Sequence, residues 1–186
     1  MNIVPIGSEA MWKKTRVSFE SYLWEDYVRW LYGERIDRDD DTVWEDADDF
    51  VVPLLELYAM GHKLQDVLFQ DEMIDLMLDL LKAECTSVEL DVVLPKLMQL
   101  GPDMVKPRQL MADCIAYCGT FSRREQEQEF HNFEDMVDLD FCRTVTRSLF
   151  DMVTSDETEK PWEIRCEYHK HGDVGQPCHL GGDDED

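Results

Sequence analysis

The chain has 186 residues, and its 44% apolar content is enough to bury a core, which excludes a wholly disordered protein. Its formal net charge of -24 repels phosphate backbones and anionic lipids, so the composition argues against nucleic-acid and membrane partners. Basic proteins remain open as partners, although solubility alone also explains such a charge.

Targeting signals and transmembrane runs are not visible in the sequence. No apolar run approaches the roughly 18 residues that a membrane-spanning helix requires, and the first residues lack the apolar region of a secretory signal. We therefore expect a protein of the cytoplasm or nucleus with reduced thiols. The six cysteines are scattered, and most are interpreted as small core residues.

The first residues of the chain show no hydrophobic periodicity. Residues 1–14 are predicted to be a loose lead-in, and residues 16–19 a short strand. The first helix is predicted over 22–32, because four apolar residues repeat at helical spacing on one face: Leu23, Tyr27, Trp30 and Leu31. The acidic stretch 34–49 lacks the internal glycine of a calcium-binding loop, and it is interpreted as a solvated connector.

The middle of the chain predicts two long helices. The first covers 47–60, and Gly61 can end it; Pro53 lies in or near its first turn if the helix begins late, near residue 52. The second covers 67–83, with Asp66 as its N-cap. Because the second helix is apolar on most sides, it is predicted to lie at the centre of the fold.

The remaining sequence predicts three further helices and a tail. Pro95 shortens or kinks a helix within 87–100, and longer helices are expected over 104–118 and 133–153. After Pro161 the helical pattern stops, so 154–186 is predicted to be an extended, disordered acidic tail. The predicted fold class is mainly α, an array of about five helices.

Three stretches, in order, carry a family likeness. They are Tyr-Val-Arg-Trp-Leu-Tyr-Gly at 27–33, Leu-Leu-Glu-Leu-Tyr-Ala-Met-Gly-His-Lys-Leu-Gln-Asp at 54–66, and Arg-Gln-Leu-Met-Ala-Asp at 108–113. Together with Cys-Glu-Tyr-His-Lys-His at 166–171, they resemble fungal-type BTB (POZ) proteins. The likeness covers about residues 17–171, and the position of the family's acidic residue holds His62.

The resemblance implies a partial BTB region over 15–85 and a C-terminal helical extension over 86–153. The strand, dimerising helix and short sheet that open a BTB domain are expected to be missing, which leaves self-association open. The resemblance also implies protein–protein contact without catalysis or a cofactor, in an adaptor or a truncated regulatory form. We expect the helix that has lost its sheet to contact other proteins through its aromatic residues Trp24, Tyr27, Trp30 and Tyr32.

Two alternative functions follow from the residues themselves. Cys166, His169, His171 and Cys178 could together satisfy a tetrahedral zinc ion, although their spacing is not that of a zinc finger, and a tail that binds metal incidentally is the alternative. The charge excess also fits an acidic binder of basic proteins. Cys114 and Cys118 share a helical face and are interpreted as core residues.

Overall fold

The computed structural model describes residues 20–34, 36, 48–84, 90–121, 136–155 and 159–175. This part of the chain contains no strand, and it confirms the mainly α class. It forms seven α-helices, namely α1 (Ser21–Leu31), α2 (Asp48–Leu64), α3 (Val67–Glu84), α4 (Leu90–Leu100), α5 (Val105–Phe121), α6 (Leu139–Thr154) and α7 (Arg165–Tyr168). Two short 3₁₀-helices, Pro161–Glu163 and His171–Val174, flank α7. The predicted lead-in, the predicted strand and most of the acidic connector lie outside the described residues.

Helix α3 lies at the centre of the core, as its apolar composition predicted. It contacts α2 and the segment formed by α7 and the two 3₁₀-helices, while α5 packs on α6. Seven of its apolar side chains are buried: Phe69, Met73, Ile74, Met77, Leu78, Leu80 and Leu81. No helix within the described ranges is long and apolar enough to span a membrane.

The turn between α2 and α3 corrects one predicted boundary. Helix α2 does not end at Gly61 but continues to Leu64, and Gln65 adopts the left-handed conformation with φ of 59°. A Cβ atom at Gly61 would lie 2.9 Å from Cδ1 of Phe69, so glycine is required here by close helix packing. Asp66 caps α3 as predicted, since its Oδ1 accepts from the backbone N–H of Phe69 at 3.1 Å.

Pro53 and Pro95 both lie inside helices. Pro53 and Pro95 occupy the sixth position of α2 and of α4. Helix α2 does not begin late, near residue 52, so Pro53 lies beyond its first turn. A proline at this position removes only the hydrogen bond to the second residue of its helix. The packing of both helices into one core outweighs that loss, because both contribute fully buried residues such as Val51 and Val93.

Helix α6 is fixed to α5 by a capping contact. Asp138 is the N-cap, and its Oδ1 accepts from the backbone N–H of Phe141 at 2.8 Å and from the guanidinium of Arg108 at 2.6 Å. The hydrogen bond from Arg108 holds the pKa of Asp138 below its usual range, and the backbone N–H groups act in the same direction. This cap begins the helix at Leu139, six residues after its predicted start at 133.

The segment 159–175 is folded onto the core, and the prediction of an extended, disordered tail is wrong for these residues. Tyr168 is fully buried, and its hydroxyl donates to Oδ2 of Asp113 at 2.9 Å. Lys106 Nζ donates to the backbone oxygen of Glu167 at 2.8 Å. Elements of three or four residues are too short to produce a helical repeat in the sequence, which explains the error. Residues 176–186 lie outside the description.

Candidate functional site

Two of the four predicted partner-binding residues pack against the core. The rings of Tyr27 and Trp30 stack at 6.0 Å, and both meet Phe69 edge-on, at 4.8 and 4.9 Å. The Tyr27 hydroxyl donates to Oδ2 of Asp66 at 2.9 Å; burial and this bond raise the pKa of Tyr27 to about 12. These contacts dock α1 onto the start of α3.

The other two predicted residues lie on an exposed apolar face of the same helix. Trp24 is 38% exposed and Tyr32 is 84% exposed. Together with Val28 and Leu31, which are also exposed, they form what we call the α1 stripe. Because these residues are spaced by 4, 3 and 1, they line one side of the helix and its C-terminal end. Helix α1 therefore buries one apolar face and leaves an adjacent one accessible among the described residues.

Acidic side chains lie beside the α1 stripe. Three carboxylates are near it in the described residues 20–34, namely Glu20, Glu25 and Glu34, while Asp26 lies on the opposite side of the helix. Arg29 is the only cation of that stretch, and its Nε lies 2.9 Å from Oε2 of Glu34. The apolar surface is therefore set in a negative field, which adds to the charge of the whole chain.

The second candidate site is formed by three of the four predicted metal ligands. One ligand atom from each of Cys166, His169 and His171 can be chosen so that all three lie within 4.8 Å of one another. Both imidazoles are buried, while Cys166 is exposed. Cys178, the fourth predicted ligand, lies outside the described residues.

Two aspartates of α3 hold the two histidines. Asp71 and Asp75 lie one helical turn apart, so both face the C-terminal segment. Nδ1 of His171 is 2.8 Å from Oδ2 of Asp71, and Nε2 of His169 is 3.1 Å from Oδ1 of Asp75. Asp71 is fully buried and also accepts the backbone N–H groups of Lys170 and His171.

Arg165 completes this polar layer. Its guanidinium bonds Oδ1 of Asp75 at 3.2 Å and also pairs with Asp79. Burial alone would raise the pKa of Asp75, but the bonds from His169 and Arg165 outweigh it and hold that pKa below its usual range. Asp75 is therefore an ionised acceptor at neutral pH.

The aspartates were not singled out from the sequence, which showed them only as a narrow polar strip on α3. Their spacing was the available signal, because Asp71, Asp75 and Asp79 recur every four residues on an otherwise apolar helix. A strip of that kind at the centre of a core requires polar partners from another segment. The sequence did not reveal that the partners are some 90 to 100 positions away.

A cavity of about 250 Å³ opens between α5, α6 and the C-terminal segment. Its lining includes Gln109, Asp113, Ser148 and Tyr168. Asp113 accepts hydrogen bonds from the Gln109 amide at 2.9 and 3.0 Å and from the Tyr168 hydroxyl at 2.9 Å. The Gln109 bonds orient Asp113 within α5, and the Tyr168 bond connects α5 to the C-terminal segment, so we assign all of them a structural role.

No protein-family model, curated protein or solved structure matches this chain. The resemblance to fungal-type BTB domains therefore stays a prediction carried by the motifs at 27–33, 54–66 and 108–113.

Proposed function

We propose that the chain is a BTB-type protein-interaction module that works without catalysis, as an adaptor or a regulatory form. The observation that carries the proposal is the α1 stripe, an apolar helix face that is exposed beside the face that packs on the core. Large contiguous apolar surfaces on folded proteins mark interaction sites more often than isolated exposed residues do.

The stripe lies on a helix that is held in place before any partner arrives. Leu23 is buried against α2, and Tyr27 and Trp30 pack on Phe69. The hydroxyl of Tyr22 adds a hydrogen bond to Glu56 of α2. A surface on an ordered element loses little conformational entropy when it binds, which favours affinity. Trp24 and Tyr32 are also of the residue types that most often dominate binding energy at interfaces.

The acidic rim defines the chemistry of the partner. An apolar stripe with Glu20, Glu25 and Glu34 beside it is complementary to a protein that presents apolar side chains flanked by Lys or Arg. A second copy of this chain would bring the same net charge of -24, so repulsion disfavours a homodimer through this surface. We therefore propose that this interaction module binds basic proteins, which unites two of the functions predicted from the sequence.

The test compares two matched double variants. Val28→Ser with Leu31→Ser removes apolar contact area from the stripe without adding charge, and Phe150→Ser with Val153→Ser does the same on the exposed side of α6. Proteins retained from an extract of the expressing cells are quantified for wild type and both variants. Each candidate is then purified, and its affinity is measured by calorimetry at two salt concentrations.

We expect a basic partner whose affinity falls about tenfold or more in the α1 variant, stays unchanged in the α6 variant and decreases with salt. Equal affinity of the partner for both variants would contradict the proposal. The proposal would also be contradicted if light scattering showed a homodimer and the α1 variant abolished it, because the stripe would then serve self-association.

A further inference from the structure

We propose that Cys166, His169 and His171 form a binding site for a zinc-type divalent cation, in which Asp71 and Asp75 orient the two imidazoles. The site lies on α3 and the C-terminal segment, and it does not depend on the function proposed for α1.

The separation of the three ligand atoms fits one ion. Zn–N bonds of about 2.0–2.1 Å and Zn–S bonds of about 2.3 Å in a tetrahedron place ligand atoms roughly 3.3–3.7 Å apart. The three atoms here already lie within 4.8 Å of one another. A contraction of about 1 Å would bring the three ligand atoms to the spacing of a tetrahedral zinc ion.

The carboxylates on α3 are placed as the outer shell of a metal site. Histidines that bind a metal through one ring nitrogen usually donate the other ring N–H to a carboxylate, which fixes the tautomer and the ring plane. Asp71 is the carboxylate beside Nδ1 of His171, and Asp75 is the carboxylate beside Nε2 of His169. The proposal therefore takes Nε2 of His171 and Nδ1 of His169 as the ligand atoms, with Asp71 and Asp75 on the other ring nitrogens.

The local charge also favours a cation. Asp71, Asp75 and Asp79 lie beside the cluster, and Arg165 is the cation that pairs with two of them. Asp71 is fully buried and lies against Nδ1 of His171, so a divalent cation on that imidazole would lie beside a buried carboxyl group. One thiolate and two imidazoles select zinc over calcium or magnesium, which prefer oxygen ligands.

The site would stabilise the docking of the segment 166–171 on α3, because the two metal-bound histidines also contact Asp71 and Asp75. His171 and Asp71 are separated by 100 positions, and the ion would couple the segment 166–171 to the central helix. Binding free energy at such a site contributes directly to the stability of the folded chain.

The experiment uses the full chain, reduced and freed of metal with a chelator, then titrated with Zn²⁺ and, in parallel, with Co²⁺ as a spectroscopic probe. Excess Mg²⁺ is present throughout to occupy surface carboxylates. Cys166→Ser removes the sulfur ligand, and Cys142→Ser is the matched control for a thiol on α6. Asp75→Asn keeps all three ligands but weakens the orientation of His169.

We expect one tightly bound Zn²⁺ per chain, a rise in thermal midpoint with Zn²⁺, and the visible and sulfur-to-metal absorption of four-coordinate Co²⁺. Cys166→Ser should lose the sulfur band and the thermal shift, and Cys142→Ser should keep both. Asp75→Asn should keep the sulfur band while zinc affinity falls about 10- to 100-fold. Zinc uptake that is equal in wild type and Cys166→Ser would overturn the proposal, and so would the absence of uptake by wild type.

A measurement on the wild-type chain keeps the proposal testable if a variant fails to fold. Cys166 and Cys142 are alkylated with and without Zn²⁺, and the modified peptides are quantified by mass spectrometry. Zinc should protect Cys166 selectively, because a metal-bound thiolate is a poor nucleophile. Equal alkylation of Cys166 in both conditions would overturn the proposal.

Discussion

Substitution of Tyr168 tests whether the segment 159–175 is packed on the core. Its side chain is fully buried between α5 and the C-terminal segment, and its hydroxyl bonds Asp113. Replacing a buried aromatic residue with alanine costs about 3–5 kcal/mol, out of a total stability of about 5–15 kcal/mol for a typical domain. Tyr168→Phe loses only the hydrogen bond, and because Asp113 keeps its bonds to Gln109, we expect a loss of about 1 kcal/mol.

The assay is urea unfolding followed by far-UV circular dichroism, with chelator present so that packing alone is measured. We expect Tyr168→Ala to lower the urea midpoint by about 1–2 M. Val174→Ala, on the same segment but 52% exposed, should shift it only slightly. If Tyr168→Ala and Val174→Ala had the same small effect, the segment would not be packed on the core and the reasoning would be refuted.

Three further predictions concern the helices. Gly61→Ala should destabilise by up to about 2 kcal/mol in urea unfolding despite the higher helix propensity of alanine, since the added methyl meets the ring of Phe69. Leu23→Ala should loosen α1, seen as faster proteolysis within residues 20–34 while the rest stays resistant. Asp138 should contribute stability above about pH 4 that is lost as the pH falls, because the bond from Arg108 lowers its pKa. Asp138→Asn keeps a capping side chain that does not titrate, so this pH dependence should flatten. The associated change in unfolding free energy should be under about 1 kcal/mol, because the Asp138 side chain is 49% exposed.

Helices with a long apolar repeat could be predicted from the sequence. The pattern located α3 to within one residue, because its apolar residues and the cap at Asp66 agree. The predicted end of α2 at Gly61 was wrong, because this glycine allows close packing against Phe69 instead of ending the helix. Phe69 belongs to the neighbouring helix, and a local sequence pattern does not contain that contact.

The candidate sites were predictable only in part. The sequence identified Cys166, His169 and His171 by residue type, but it missed the aspartates of α3 that hold the histidines. It also could not separate Tyr27 and Trp30, which pack on Phe69, from Trp24 and Tyr32, which remain exposed. All four are aromatic residues on one helix, and the position of the neighbouring helix decides which face is buried.

The bonds between Asp71 and His171 have a consequence for how the chain is made. A helical protein with mostly local contacts folds quickly, but these two residues are 100 positions apart. A ribosome that adds about 5–20 residues per second needs roughly 5–20 s to synthesise the intervening stretch. During that time α3 has emerged, and the carboxylate of Asp71 has water instead of its imidazole and amide partners. Burial of Asp71 is therefore a late event of synthesis, completed only when the segment that carries His171 arrives.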